Sequence, residues 1–215
     1  MSWDSTKNIV DMPNGNFGSI LGYAGESLAI GRALVCGYNL FFKAWRDAKY
    51  DAVLDANGVL HRLEIKQTSG NSSLSTSSGG RTGQQIDRSA GSRERPLSTE
   101  DCDFILGTQS LNGKCWIIPV EIIELLGRKT LPFYFLQHFE EKWKIFMFEN
   151  KYISNKYIIS GFKNMNDDDL NRICGSLSID VPKDPFIQLG KKTRVTVSSR
   201  IWKIVNIWLK IYQSI

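Results

Sequence analysis

The stretch Tyr50-Asp51-Ala52-Val53-Leu54-Asp55-Ala56-Asn57-Gly58-Val59-Leu60-His61-Arg62-Leu63-Glu64-Ile65-Lys66-Gln67 decides how this chain folds. Asn57-Gly58 lies between two apolar-rich runs, the pairing that a type I′ turn demands because both central residues take positive φ. A two-residue loop sets the register. With Ala56 opposite Val59, Asp51 falls opposite Glu64, their Cβ atoms about 5 Å apart. Side chains alternate along a strand, so Asp51, Val53, Asp55, Arg62, Glu64 and Lys66 project to one face, while Leu54, Leu63 and Ile65 point the other way into a core.

Two carboxylates held this close repel, and one would have to take up a proton unless a cation stands between them. The constellation asks for a divalent metal. Oxygen ligands without cysteine or histidine favour magnesium, with manganese as a substitute. The chain has two histidines in all, which argues against a histidine-rich zinc site. A lone Glu-x-Lys is a common tripeptide and would by itself be read as solvated strand residues paired by charge. Register and flanking apolar strands set this one apart.

Upstream, from Gly18 to Gly37, apolar residues recur at helical spacing through Leu21, Ala24, Leu28, Ala33 and Leu34, with Gly37 as the stop. A helix starting between Gly18 and Gly25 carries Glu26 early, among small residues that let a backbone or a phosphate come near. Glu26 also suits an ordinary first-turn acid facing the helix dipole. Tyr38 to Trp45 then reads as extended. The order is helix, strand, hairpin.

These residues together resemble the PD-(D/E)XK nuclease superfamily, the restriction-endonuclease-like fold, over roughly residues 18 to 120. The resemblance implies an α/β, three-layer core with a central mixed β-sheet flanked by helices. It implies a site made of an acid on the first helix, an aspartate opening the second strand and a (D/E)-x-K tripeptide on the third, here Glu26, Asp51 and Glu64-Ile65-Lys66. Tyr50 stands where the motif has proline, a departure many members share. By the same resemblance, Asp51, Glu64 and the backbone carbonyl of Ile65 hold a magnesium ion, Glu26 serves a second ion or the outer shell, and Lys66 is catalytic. Gln67 resembles a polar position that recurs in some branches and is expected to contact nucleic acid.

From Thr68 to Thr99 the composition shifts to glycine, serine and arginine, a flexible insertion at 68–99 leaving directly from the strand that bears Lys66. Small residues with Arg81, Arg88, Arg93 and Arg95 interspersed suit a phosphate backbone. Gly83 to Ala90 reads as a remnant of the helix that follows the catalytic strand in the superfamily. A second hairpin, Asp101 to Glu121, turns at Asn112-Gly113 and completes the sheet, with Pro119 marking an edge or an end. Asp103 and Glu121 read as solvated strand-end acids rather than metal ligands.

Ile122 to Gly127 reads as a short helix, Trp143 to Phe148 as a strand, and Asp167 to Cys174 as a helix with acids in its first turn. Arg200 to Tyr212 forms a last helix whose Ile201, Ile204, Val205, Trp208, Ile211 and Tyr212 make one stripe, suited to core packing or to a dimer contact. The expected organisation is a nuclease core at 1–125 and a mixed C-terminal extension at 126–215, packed on it and serving dimerisation or DNA specificity.

A content of 42% hydrophobic and 23% charged residues is that of a globular domain, and a net charge of +5 suits a polyanionic partner. Cys36, Cys102, Cys115 and Cys174 lack metal-ligand spacing, no apolar run reaches about 18 residues, and a cytoplasmic, membrane-free protein is expected. The functional expectation is a magnesium-dependent endonuclease on double-stranded DNA, of restriction, homing or repair type, acting as a homodimer. A nuclease on RNA or branched DNA, and a noncatalytic nucleic-acid-binding module of the same fold, are the competing readings.

Overall fold

Both turn residues of the decisive hairpin adopt the left-handed conformation, Asn57 at φ 54° and Gly58 at 87°, and the register follows from them. In the computed structural model, which describes residues 14–43, 48–70, 72–78, 94–147, 158–179 and 198–214, Ala56 pairs with Val59 and Ala52 with Leu63. The next step along the ladder sets Asp51 opposite Glu64. The chain runs α1 (Asn14–Val35), β1 (Asn39–Phe42), β2 (Ala52–Ala56) and β3 (Val59–Thr68), then the short β4 (Ser73–Ser75), β5 (Ser77–Ser78) and β6 (Arg95–Pro96). It continues with β7 (Phe104–Gln109), β8 (Cys115–Pro119), α2 (Val120–Leu126), β9 (Thr130–Pro132) and α3 (Phe133–Leu136). Three further helices follow, α4 (Ile158–Lys163), α5 (Asp167–Ser176) and α6 (Ser199–Gln213).

The result is a mixed α/β architecture around a five-stranded sheet of order β1-β2-β3-β7-β8. β1 to β3 form an antiparallel meander, β7 joins β3 in parallel, and β8 returns antiparallel along the edge. Pro119 ends that edge strand and leads into α2, where its missing N–H costs no ladder bond. Gly127 closes α2 in the left-handed conformation.

α1 begins at Asn14, earlier than the glycine-rich sequence suggests. It ends as the sequence indicates: Tyr38 N–H bonds Ala33 O at 3.1 Å and Gly37 N–H bonds Leu34 O at 3.0 Å, with Gly37 at φ 88°. This paired termination satisfies the last carbonyls and needs a residue without Cβ at the left-handed position. Ala29 and Ala33 are fully buried, so the helix lies close on the sheet.

Two segments depart from expectation. The run 68–99 is not a bare loop, since β5 pairs with β6 within it and β4 pairs with β9 outside it. The helix read at 83–90 lies outside the described residues. Trp143–Met147 is a 3₁₀ turn and not a strand. Its aromatics plug the core from one side: Phe146 stands 4.9 Å from Phe104, 5.4 Å from His61 and 5.4 Å from Tyr38 between ring centroids, and Tyr38 Oη donates to Trp143 O at 2.8 Å. A tight turn buries Trp143, Ile145 and Phe146 together, which an alternating strand would not do.

β4 matters for the site because it folds back over the face that bears Lys66. Gly107, the sheet neighbour of Lys66, has no side chain, and a β-carbon there would meet Leu74 Cδ2 at 2.5 Å. Leu74 is fully buried in that recess. Leu74→Ala should therefore destabilise the protein by about 2–5 kcal/mol in urea unfolding. A loss under about 1 kcal/mol would show that β4 does not depend on this contact.

The C-terminal segment packs on the sheet. Tyr212 Oη donates to Ile117 O at 2.7 Å, and Phe139, Trp208 and Tyr212 stack in sequence. Ile204, Val205, Trp208 and Tyr212 of the α6 stripe are buried within the chain, while Ile201 and Ile211 are partly covered. Core packing accounts for the stripe. At α5 the Asn166 side chain accepts from Asp169 N–H at 2.8 Å, and Asp167, Asp168 and Asp169 occupy the first turn, where the helix dipole favours them.

Candidate active site

Asp51 immediately precedes β2 and Glu64 lies in mid-β3, on the sheet face opposite Leu63 and Ile65. Asp51 is fixed by its neighbours: Oδ2 accepts the Ile65 N–H at 2.8 Å, and Oδ1 takes an ion pair from Lys43 Nζ. Lys66 Nζ donates to Glu64 Oε1 at 2.7 Å. The side chains of Glu64 and Asp51 are 15% and 14% exposed, so neither charge is fully hydrated. Burial pushes the Glu64 carboxyl above its ordinary range, Lys66 pulls it back, and Asp51 raises it again. Glu26, on α1, is raised by burial and then by Asp51, with Lys43 acting against both. Asp51 thus acts on both other acids. Each of the two facing carboxylates carries its own lysine.

Sequence reasoning picks out Glu26, Asp51, Glu64 and Lys66, and the structure brings them to one end of the sheet. It misses Lys43. Its backbone N–H donates to Asp51 O at 3.3 Å, extending the β1–β2 ladder one step beyond Phe42 opposite Ala52. The signal would have been the β1 register, which no tight turn announces.

Gln67, expected to contact nucleic acid, lies on the sheet face opposite Lys66. It points to the α1 side of the sheet, and Nε2 donates to Ser110 Oγ at 2.5 Å. There it packs under Gly25, where an added β-carbon would stand 2.5 Å from Gln67 Cβ and 3.1 Å from Thr108 Oγ1. The absence of a side chain at residue 25 lets α1 settle on β3 and β7 and sets the depth of Glu26.

Among the arginines of the insertion, Arg81, Arg88 and Arg93 lie outside the described residues. Arg95 makes a two-pronged pair with Asp101, at 2.6 Å on each prong, and Asp101 also accepts from Ser98 N–H and Oγ at 3.0 Å. The Arg95 bonds, with those from Ser98, hold the Asp101 carboxyl down from 3.8 to about 2 despite burial. A depressed carboxyl contributes stability that is present above its unfolded pKa and lost as pH falls through the folded one. Asp101→Asn should thus cost about 1–2 kcal/mol at pH 7, discounted for the half-exposed arginine, and only a small part of that at pH 2, where the folded carboxyl is half protonated. Melting curves of both proteins between pH 7 and 2 measure this, and a gap independent of pH would contradict it.

Asp103 and Glu121, expected to be solvated, are both buried. Asp103 is engaged by Arg62, whose Nη2 reaches Oδ1 at 2.7 Å while the Arg62 backbone N–H reaches Oδ2 at 2.8 Å. The pair ties β3 to the start of β7.

Among the described residues, no group of three histidine, cysteine or acidic side chains forms a ready-made metal cluster. A magnesium ion asks for less. One or two carboxylates complete an octahedron with water and substrate oxygens. Asp51 and Glu64 fit that demand in chemistry, and the raised Glu64 carboxyl is a group whose burial cost a divalent ion would offset.

No family model and no curated relative matches the chain. Among solved structures it is similar to a bacterial homing endonuclease, I-Ssp6803I, at 20% identity over 53% of this chain and 76% of that one, with a TM-score of 0.42. Likeness at that level carries nothing about chemistry. No helix among the described residues is long and apolar enough to cross a membrane.

Proposed function

We propose that this chain is a magnesium-dependent endonuclease that hydrolyses phosphodiester bonds in double-stranded DNA, a member in kind of the PD-(D/E)XK nucleases its sequence resembles. The observation that carries the reading is the facing pair Asp51 and Glu64 with the Lys66 ammonium 2.7 Å from Glu64 Oε1. An aspartate, a glutamate and a lysine packed together on one sheet face serve no fold requirement that apolar residues would not meet better.

Asp51, Glu64 and the backbone carbonyl of Ile65 would hold the ion, and manganese would substitute for magnesium. When bound, the ion polarises the scissile phosphate and lowers the pKa of a coordinated water. Lys66 spends one N–H on Glu64 and keeps two donors, enough to orient the attacking water and to face a non-bridging phosphate oxygen as charge develops. The Ile65 N–H bond to Asp51 keeps that carboxylate from rotating, an outer-shell constraint of the kind that tunes metal ligands. Glu26 orients the ligand shell or serves a second ion. Arg81, Arg88 and Arg93 of the 68–99 insertion would supply phosphate contacts, Arg95 being engaged by Asp101, and two protomers would supply one site per strand. A net charge of +5 agrees with a polyanionic substrate.

The test is incubation with supercoiled and linear duplex DNA in magnesium or in EDTA, followed on a gel. Discrete magnesium-dependent fragments are expected of a sequence-specific enzyme. No cleavage of any duplex would overturn the duplex assignment and transfer the reading to branched DNA, RNA or binding without cleavage.

A further inference from the structure

Lys43 stands outside the motif, yet it is the cation in contact with Asp51. Its side chain is 28% exposed, and it meets a carboxylate only 14% exposed, so solvent screens the pair less than it would an ordinary surface bridge. Both oxygens of Asp51 are engaged, Oδ2 by the Ile65 N–H and Oδ1 by Lys43. The ammonium also lies within electrostatic reach of Glu26 and Glu64. A divalent ion on Asp51 would have to share Oδ1 with this ammonium or displace it, and two cations on one oxygen repel. Lys66 differs, because it pairs with Glu64 from the same strand two residues away and leaves Asp51 untouched.

Resting on the reading of Asp51 and Glu64 as cation ligands, we infer that Lys43 is a tethered counter-ion that occupies the acidic pair in the metal-free protein and competes with the divalent cation for Asp51. It offsets the negative charge of the pair through its contact with Asp51. Its release on metal loading leaves a free ammonium at the rim of the site.

The experiment is calorimetric titration of Mn²⁺ into the full chain and into Lys43→Met, Lys43→Gln and Lys43→Arg at low ionic strength. Circular dichroism melts check that each variant is folded. Removing the competing charge should tighten Mn²⁺ binding by about fivefold or more in Lys43→Met and Lys43→Gln, while Lys43→Arg stays near wild type. Equal or weaker binding in the neutral variants would overturn the role of Lys43 and leave the metal site standing. Failure of every protein, neutral variants included, to take up Mn²⁺ would remove the metal site itself and the inference with it. Either neutral variant suffices if the other does not fold.

Discussion

Lys66→Ala should slow magnesium-dependent cleavage of duplex DNA by about 10²–10³-fold, the usual cost of removing one positioned charge or donor from a phosphoryl-type transition state. Binding should change little. One lost phosphate contact among many weakens affinity by a few fold and lowers the salt slope by about one. The contrast is diagnostic because Lys66 has a second, structural role beside Glu64: their pair is 2.7 Å long and its side chains are 23% and 15% exposed. If that role were the whole of it, Lys66→Met, which keeps the packing, would lose stability while the folded protein still cleaved at close to the wild-type rate. Cleavage within about threefold of wild type in Lys66→Ala would mean that the ammonium only offsets the charge of Glu64.

The second large effect is expected at a residue with no functional group. Gly25→Val should lower both stability and activity, the first by about 1–3 kcal/mol, because its β-carbon would overlap Gln67 Cβ at 2.5 Å and press on Thr108. In a helix interior, replacing glycine ordinarily gains something, up to about 1 kcal/mol for alanine. The overlap reverses that sign. Relief requires α1 to lift from β3 and β7, and Glu26 leaves with it, so cleavage should fall by more than stability alone explains at temperatures where the variant is folded. Gln67→Gly removes the atom that is struck, and Gly25→Ala/Gln67→Gly should be more stable than the sum of its single variants. A stable, fully active Gly25→Val would show that α1 is not seated at this depth.

What the sequence discloses of the site follows from where the chain is locally determined. The two-residue Asn57-Gly58 turn leaves one register for β2 and β3, so the apposition of Asp51 and Glu64 is legible without any distant contact. Asn112-Gly113 marks where β7 turns back as β8 but not the register, since Thr108 pairs with Cys115 and only Gly113 of the two takes positive φ; Gly37 marks the end of α1. Lys43 was hidden because residues 43–51 contain no turn signal that fixes how β1 meets β2. The parallel pairing of β3 with β7 is equally silent, since a crossover of more than thirty residues carries no register. Trp143–Met147 reads as a strand because large apolar residues cluster there, and only the pocket between Tyr38, His61 and Phe104 turns that cluster into a plug. Gln67 looks like part of the motif by adjacency, but the alternation of a strand sends it to the opposite face from Lys66.

The proposed chemistry requires a divalent cation between Asp51 and Glu64. The most direct measurement is Mn²⁺ uptake by the whole chain, read from the loss of the free-ion signal in electron paramagnetic resonance, in wild type and in Asp51→Asn/Glu64→Gln. These replacements keep the shape and remove the charge. The predicted result is saturable uptake by wild type, reversed by excess Mg²⁺, and none by the folded double variant. Equal uptake by the two proteins, or none by wild type, would contradict the site.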